Sequence, residues 1–380
     1  MNTLGQLVIL DADRGSSSET RSGIQATNPK IYARLASEGC GKDIAFVVTH
    51  PANNFMNHYL LEPMQKRGKA ILGLNTRYAN NESFLIMERA VQDVGRAVRF
   101  LRDQGYRRVC LIGNSGGASL TAYFQAQAEK PTVRTAPDGQ TVDLVASGLV
   151  PADGIALIAG HHGRARILTD RLDAAVTDEH DVLATDPDLD IFNPANGPPF
   201  TPEFVARVRA AQLARNRRIT AWCKGRLAQY AKLGPDQPLT DEPFVVNRTL
   251  ADPRYVDLSL EASGRSASTT LGNKLADDNY APNGSARLST VRSWLSQWSI
   301  DCSMADGPKR IAETTVPVLN INYMQDEIVF PSDMNEWRHA VGARGEHHNI
   351  EGCGHYPMGK PHIIDKVCDM LVEWSERKLK

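Results

Sequence analysis

Val109-Cys110-Leu111-Ile112-Gly113-Asn114-Ser115-Gly116-Gly117-Ala118-Ser119-Leu120 is the stretch that decides how this chain folds. Four apolar residues of buried-strand length run into Gly-x-Ser-x-Gly, and a helical run follows. A serine on so sharp a turn takes an unusual backbone conformation, which makes its hydroxyl protrude. Small residues at Gly113 and Gly117 let strand and helix approach each other closely. The helix starting at Gly116 points its free N–H groups, and the positive end of its dipole, at the reacting atom. A phosphate-binding loop would need G-x-x-x-x-G-K-[ST], and no lysine follows here.

On either side the pattern continues. Ile44–Val48, Ala70–Leu74 and Ile155–Ala159 are further short runs that are apolar on both faces, as parallel strands covered by helices on each side require. Between them Phe84, Met87, Val91, Val94, Val98 and Leu101 share one helical face. Asn81 or Ser83 can cap that helix, and Gly105 follows its end. Toward the C-terminus come a strand at Val316–Ile321, a helical stretch, a strand at His347–Ile350 and a last helix over about Ile363–Arg377. This alternation predicts an α/β protein: an open, mostly parallel sheet with helices on both faces. Active residues of such sheets stand at the C-terminal ends of the strands.

Three zones differ in texture. Residues 1–160 and 309–380 alternate strand and helix, whereas 161–308 loses the strand signal and is rich in Pro, Asp and Arg. Within the middle zone 202–232 reads as a basic helix capped by Thr201 and opened by Pro202. A solvated face pairing with the acidic stretch 170–190 is the plain account of its charge. Asp186, Asp188 and Asp190 have calcium-loop spacing, but Gly197 stands where the loop needs Glu, so no metal is expected. Tyr255, Trp294 and Trp298 read as core aromatics of this zone.

The chain has 380 residues, with 43 Lys+Arg against 44 Asp+Glu. That balance argues against affinity built on phosphate neutralisation, hence against a nucleic-acid partner. No run approaches the roughly 20 apolar residues of a membrane span. The N-terminus lacks the basic start of a secretory signal. The six cysteines include no C-x-x-C pair, so free thiols in a reducing cytoplasm are the expectation.

Strand, G-x-S-x-G and helix at this place resemble the α/β-hydrolase fold, and GNSGGA resembles the GNSMGGA elbow of that fold's carbon–carbon bond hydrolases, without the Met. The resemblance covers the two outer zones and implies Ser115 as nucleophile. It implies His355, in Gly352-Cys353-Gly354-His355-Tyr356-Pro357, as base. It implies Asp326 as acid, with Glu327 as the fallback, in the loop Gln325–Pro331. The alternative acid position, in Gly160-His161-His162-Gly163, holds no carboxylate. His50-Pro51-Ala52 stands where the family has His-Gly-x. Gly116 and Ala52 are therefore the implied oxyanion donors, Pro51 having no N–H. The middle zone occupies the place of a cap over the site. Arg77, His162 and Tyr356 are candidate substrate contacts, Arg77 toward a carboxylate. The activity implied is hydrolysis of a carboxylic ester of a small organic substrate through an acyl-enzyme, without a cofactor. Carbon–carbon bond hydrolysis and a non-catalytic ligand-binding homologue are the alternatives.

Overall fold

The computed structural model describes residues 5–13, 29–234, 236–237, 239–267, 272–282 and 284–380. The remaining residues of the expected first zone, 1–4 and 14–28, lie outside this description. The apolar runs become the inner strands of one eight-stranded sheet. Its members are β1 (Gln6–Asp11), β2 (Lys30–Ala36), β3 (Ile44–His50), β4 (Ala70–Asn75), β5 (Arg108–Asn114), β6 (Gly154–Ile158), β7 (Val318–Tyr323) and β8 (Gly345–Ile350). The spatial order is β1-β2-β4-β3-β5-β6-β7-β8. From β4 to β8 every pairing is parallel. The pairs β1/β2 and β2/β4 are antiparallel.

Sequence patterning missed β1, at the edge of the sheet, and β2 beside it, because alternate residues of both are exposed. Leu7 and Ile9 on β1 are about half exposed, so neither strand shows a two-sided apolar run. The inner strands are buried throughout. Alternate residues of β3 feed two separate cores. Ala45 and Val47 pack on the side of α2 (Met87–Asp103) and α3 (Gly117–Glu129). Phe46 and Val48 pack with Leu61 and Met64 of α1 (Leu61–Lys66) and with Ile363, Val367, Leu371 and Trp374 of the C-terminal helix Pro361–Lys378.

The expected helix start at Asn81 or Ser83 is displaced. Glu82–Phe84 forms a separate 3₁₀ turn, and α2 begins at Met87 without a side-chain cap. Gly105 does follow the helix end, with φ +85°.

Among the described residues between β6 and β7, no strand joins the central sheet. Here lie α4 (Arg164–Arg171), two short antiparallel ribbons and α5 (Pro202–Tyr230). Thr201 Oγ1 accepts from the Phe204 N–H at 3.2 Å, as a Ser/Thr N-cap does. Leu168, Leu172, Ile219, Cys223, Trp294 and Trp298 form a core of the insertion's own. The basic face of α5 is largely paired: Arg215 with Glu179, Arg209 with Asp252, Arg226 with Glu242. Among the described residues no helix is long and apolar enough to cross a membrane, and no cluster of His, Cys, Asp and Glu is arranged to hold a metal ion.

Candidate active site

Ser115 ends β5 in the left-handed region at φ +55°, a conformation L-residues avoid unless the surroundings impose it. The neighbours impose it by close approach. A Cβ on Gly113 would lie 2.6 Å from Ala118 Cα, and one on Gly117 would collide with the Thr49 carbonyl oxygen. The Ser115 N–H donates to the Ile158 carbonyl of β6 at 3.0 Å. Asn114 fastens the turn further. Its Nδ2 donates to the Ile158 carbonyl at 2.9 Å, and its Oδ1 faces His58 Nε2 at 3.0 Å.

β7 and β8 end beside β5 and β6, so the loops that follow them reach the same rim of the sheet. Asp326 is buried after β7. Its Oδ1 accepts from the N–H groups of Ile328 and Val329, at 2.7 and 2.9 Å. Both its oxygens face Nδ1 of His355, at 3.0 and 2.8 Å. His355 Nε2 lies 2.8 Å from Ser115 Oγ. Residues 115, 326 and 355 therefore form one continuous hydrogen-bonded chain. Glu327 occupies a different place, where its carboxylate accepts from the backbone N–H of His355 at 3.1 Å. Gln325 Oε1 accepts from the N–H groups of Gly352 and Cys353. The loop after β7 and the loop that carries His355 are thereby laced together.

Of the two expected donors, Gly116 and Ala52, the N–H of Ala52 already has a partner. Ala52 N–H is engaged: it donates to Nδ1 of His50 at 3.1 Å, as does Asn53 N–H at 3.0 Å. An Nδ1 that accepts two N–H groups carries no proton, so the proton of neutral His50 sits on Nε2. His161 has the same arrangement, its Nδ1 accepting from the Gly163 N–H at 3.2 Å. Burial holds both imidazoles well below their usual pKa, and hence neutral, with the cations of Arg164 and Arg171 adding to the effect. Both Nε2 atoms converge beside Gly116. A Cβ there would stand 2.7 Å from His50 Nε2 and 3.0 Å from His161 Nε2.

Three further expectations are resolved by the contacts. Arg77 does not reach the cavity at Ser115. Its guanidinium is buried against Asp93 of α2 at 2.7 Å and donates to the Asp13 carbonyl, so it is a structural tie. His162 also points elsewhere, its Nε2 donating to the Asp333 carbonyl at 3.1 Å and its Nδ1 3.4 Å from the Asp333 carboxylate. Its neighbour His161 is the one that faces Ser115. Tyr356 does line the cavity, its ring edge-on to His355 at 4.6 Å, and burial pushes its phenol pKa up.

The cavity in which Ser115 and His355 meet has a volume of about 270 Å³, and Glu82, Arg164, Arg171 and Trp298 complete much of its wall. Sequence reasoning missed His161, Glu82 and the two arginines. The position of Gly160-His161-His162-Gly163 at a strand end was the available signal for the first. A roomier cleft of about 510 Å³ between α5 and Phe244 contains none of the expected site residues.

No protein-family model matches the sequence, and no curated protein matches it. Solved structures do. The α/β hydrolase GrgF from Penicillium sp. sh18 superposes with a TM-score of 0.52 at 9% identity, covering 98% of this chain and 99% of that one. DcsB, solved in complex with its substrate analogue, gives 0.49 at 12% identity, over 98% and 99% of the two chains. The esterase domain of a Rhodothermus marinus protein gives 0.47 at 10% identity, over 99% and 100%. With GrgF superposing over nearly its full length on a sheet whose fifth strand ends in the Ser115 turn, this chain has the α/β-hydrolase fold.

Proposed function

We propose that the protein is a serine hydrolase that cleaves a carboxylic ester, or a closely related acyl bond, of a small substrate. The observation that carries this reading is the unbroken contact from Ser115 Oγ through His355 to Asp326 on a turn held at positive φ. His355 Nε2 takes the hydroxyl proton as Ser115 Oγ attacks the carbonyl carbon. Asp326 keeps the imidazole in the tautomer whose Nε2 is free to accept, and it stabilises the imidazolium that forms. The oxyanion is received by the Gly116 N–H together with the Nε2–H groups of His50 and His161. The imidazolium returns its proton to the departing alcohol. Water, activated by the same His355, then releases the acid from Ser115.

The test is hydrolysis of a p-nitrophenyl ester alongside labelling by a fluorophosphonate. Wild-type protein should do both, and Ser115→Ala neither. Turnover that survives Ser115→Ala defeats the assignment. Turnover of a dienoate-type diketone with none of any ester would replace the ester by a carbon–carbon bond.

A further inference from the structure

One cation lining the cavity at Ser115 has two buried N–H donors without a hydrogen-bond partner. Arg164 and Arg171 open and close α4, seven residues and so about two turns apart, and both line the cavity. Arg164 is occupied. Its Nη2 pairs with Glu82, and its guanidinium lies over the Trp298 ring, 4.1 Å from the centroid. Glu82 is the one carboxylate among the described residues of the cavity wall, so Arg164 takes the only counter-charge there.

Arg171 is left over. It is 5% exposed, yet its Nε and Nη2 have no hydrogen-bond partner, and no described carboxylate pairs with it. Its guanidinium lies 5.7 Å from the centroid of the Tyr255 ring, and the Tyr255 hydroxyl beside it is likewise buried outside hydrogen-bond geometry. Burying an ionised group with unmet donors is costly, so an acceptor from outside the chain is the expected complement. Which donors are unmet matters. Nε–H and Nη2–H lie on the same edge of the guanidinium and point the same way. They form the side-on fork that matches the two oxygens of a carboxylate.

We propose that the substrate carries a carboxylate in addition to its scissile acyl bond, and that Arg171 binds it through Nε and Nη2. The inference rests on Ser115 being the nucleophile of the same cavity. The monoester of a short dicarboxylic acid is the simplest molecule that joins the two groups, and the cavity at Ser115 has a volume of about 270 Å³. The sequence had suggested a carboxylate-binding arginine at position 77, but that guanidinium already has Asp93, whereas the one at 171 has no acid.

Two esters of equal acyl length separate the possibilities: p-nitrophenyl hydrogen glutarate, which is anionic, and p-nitrophenyl valerate, which is neutral. Wild-type kcat/KM should favour the hydrogen glutarate by roughly tenfold to a hundredfold, the range of a charge-assisted bidentate pair. Arg171→Met should bring the ratio close to one, and Arg171→Lys should restore part of it. A wild-type ratio near one, or a ratio unchanged in Arg171→Met, overturns the proposal. Glutarate itself, titrated calorimetrically into the Ser115→Ala protein, gives a readout free of turnover and of any folding defect at 171. Binding there with no hydrolysis of either ester sinks the esterase reading and leaves the carboxylate site standing. Absence of binding, with both esters cleaved alike, sinks the carboxylate site alone.

Discussion

The backbone N–H of Ala52 donates to Nδ1 of His50, 3.1 Å away. This contact turns the usual division of labour around. The amide that would face an oxyanion is held by a side chain, and that side chain's opposite nitrogen, protonated because Nδ1 accepts, is presented beside Gly116. His50→Ala should therefore lower kcat by about 10² to 10³ with little change in KM, as loss of an oxyanion donor does. Steady-state kinetics on a p-nitrophenyl ester check it. A loss under about threefold would return the role to the Ala52 amide.

Gly116→Ala tests the same convergence from the other side. The new methyl would lie 2.7 Å from His50 Nε2 and 3.0 Å from His161 Nε2, closer than a side chain normally approaches. At least one imidazole must move. The expected outcome is a folded protein, by circular dichroism, with kcat reduced on the scale of a lost donor, about 10² or more. Normal turnover would mean that neither ring contributes.

The parts of the site that were legible in the sequence are those fixed by local chemistry. Ser115 was readable because its turn demands small residues on both sides. Asp326 and His355 were readable because each follows an apolar strand and sits in a loop of its own. His50 and His161 were not assigned because the role proposed for them depends on which ring nitrogen accepts a backbone N–H, and no spacing rule states that. His161 and His162 are adjacent, and the loop after β6 sends one to Ser115 and the other to Asp333. Of the two readings of Arg77, a substrate contact or an ordinary ion pair, the structure has the pair, buried with Asp93 of α2. β1, at the edge, and β2 beside it escaped notice because alternate residues of both face solvent.

Asp326 and Glu327 are neighbours with separable duties. Asp326 touches the imidazole, while Glu327 holds the backbone N–H of the same residue. Asp326→Asn should cost on the order of 10⁴ in kcat by disturbing the tautomer. Glu327→Gln keeps an acceptor for the His355 N–H, so its loss should be about tenfold or less. Comparing the two variants on one ester decides it, and the reverse ranking would exchange their roles.

Glu88 offers a stability test that does not pass through the chemistry. It lies fully buried in the first turn of α2, where burial pushes its pKa up to about 7. Its oxygens accept from the Tyr123 hydroxyl of α3 at 3.2 Å and from the Ser296 hydroxyl of the insertion at 2.9 Å. Ser296 Oγ in turn accepts from the Met87 N–H at 2.8 Å. Because the folded pKa lies above the ordinary 4.5 of the unfolded chain, the folded state keeps a proton that the unfolded state has released between those values. Stability from this group is therefore full below pH 4.5 and is lost as pH rises through about 7, by at most about 3 kcal/mol. His58, pushed down to about 4 by burial, works in the opposite sense, losing stability as pH falls from its ordinary 6.5 toward that value. The two slopes overlap in the wild-type protein, so the measurement must be a difference. Urea unfolding of wild type and Glu88→Gln at pH 5 and pH 8 supplies it, since His58 is common to both proteins. The advantage of Glu88 over Gln should be larger at pH 5 than at pH 8. An advantage equal at the two pH values would mean that Glu88 remains ionised throughout, stabilised by the hydroxyls of Tyr123 and Ser296.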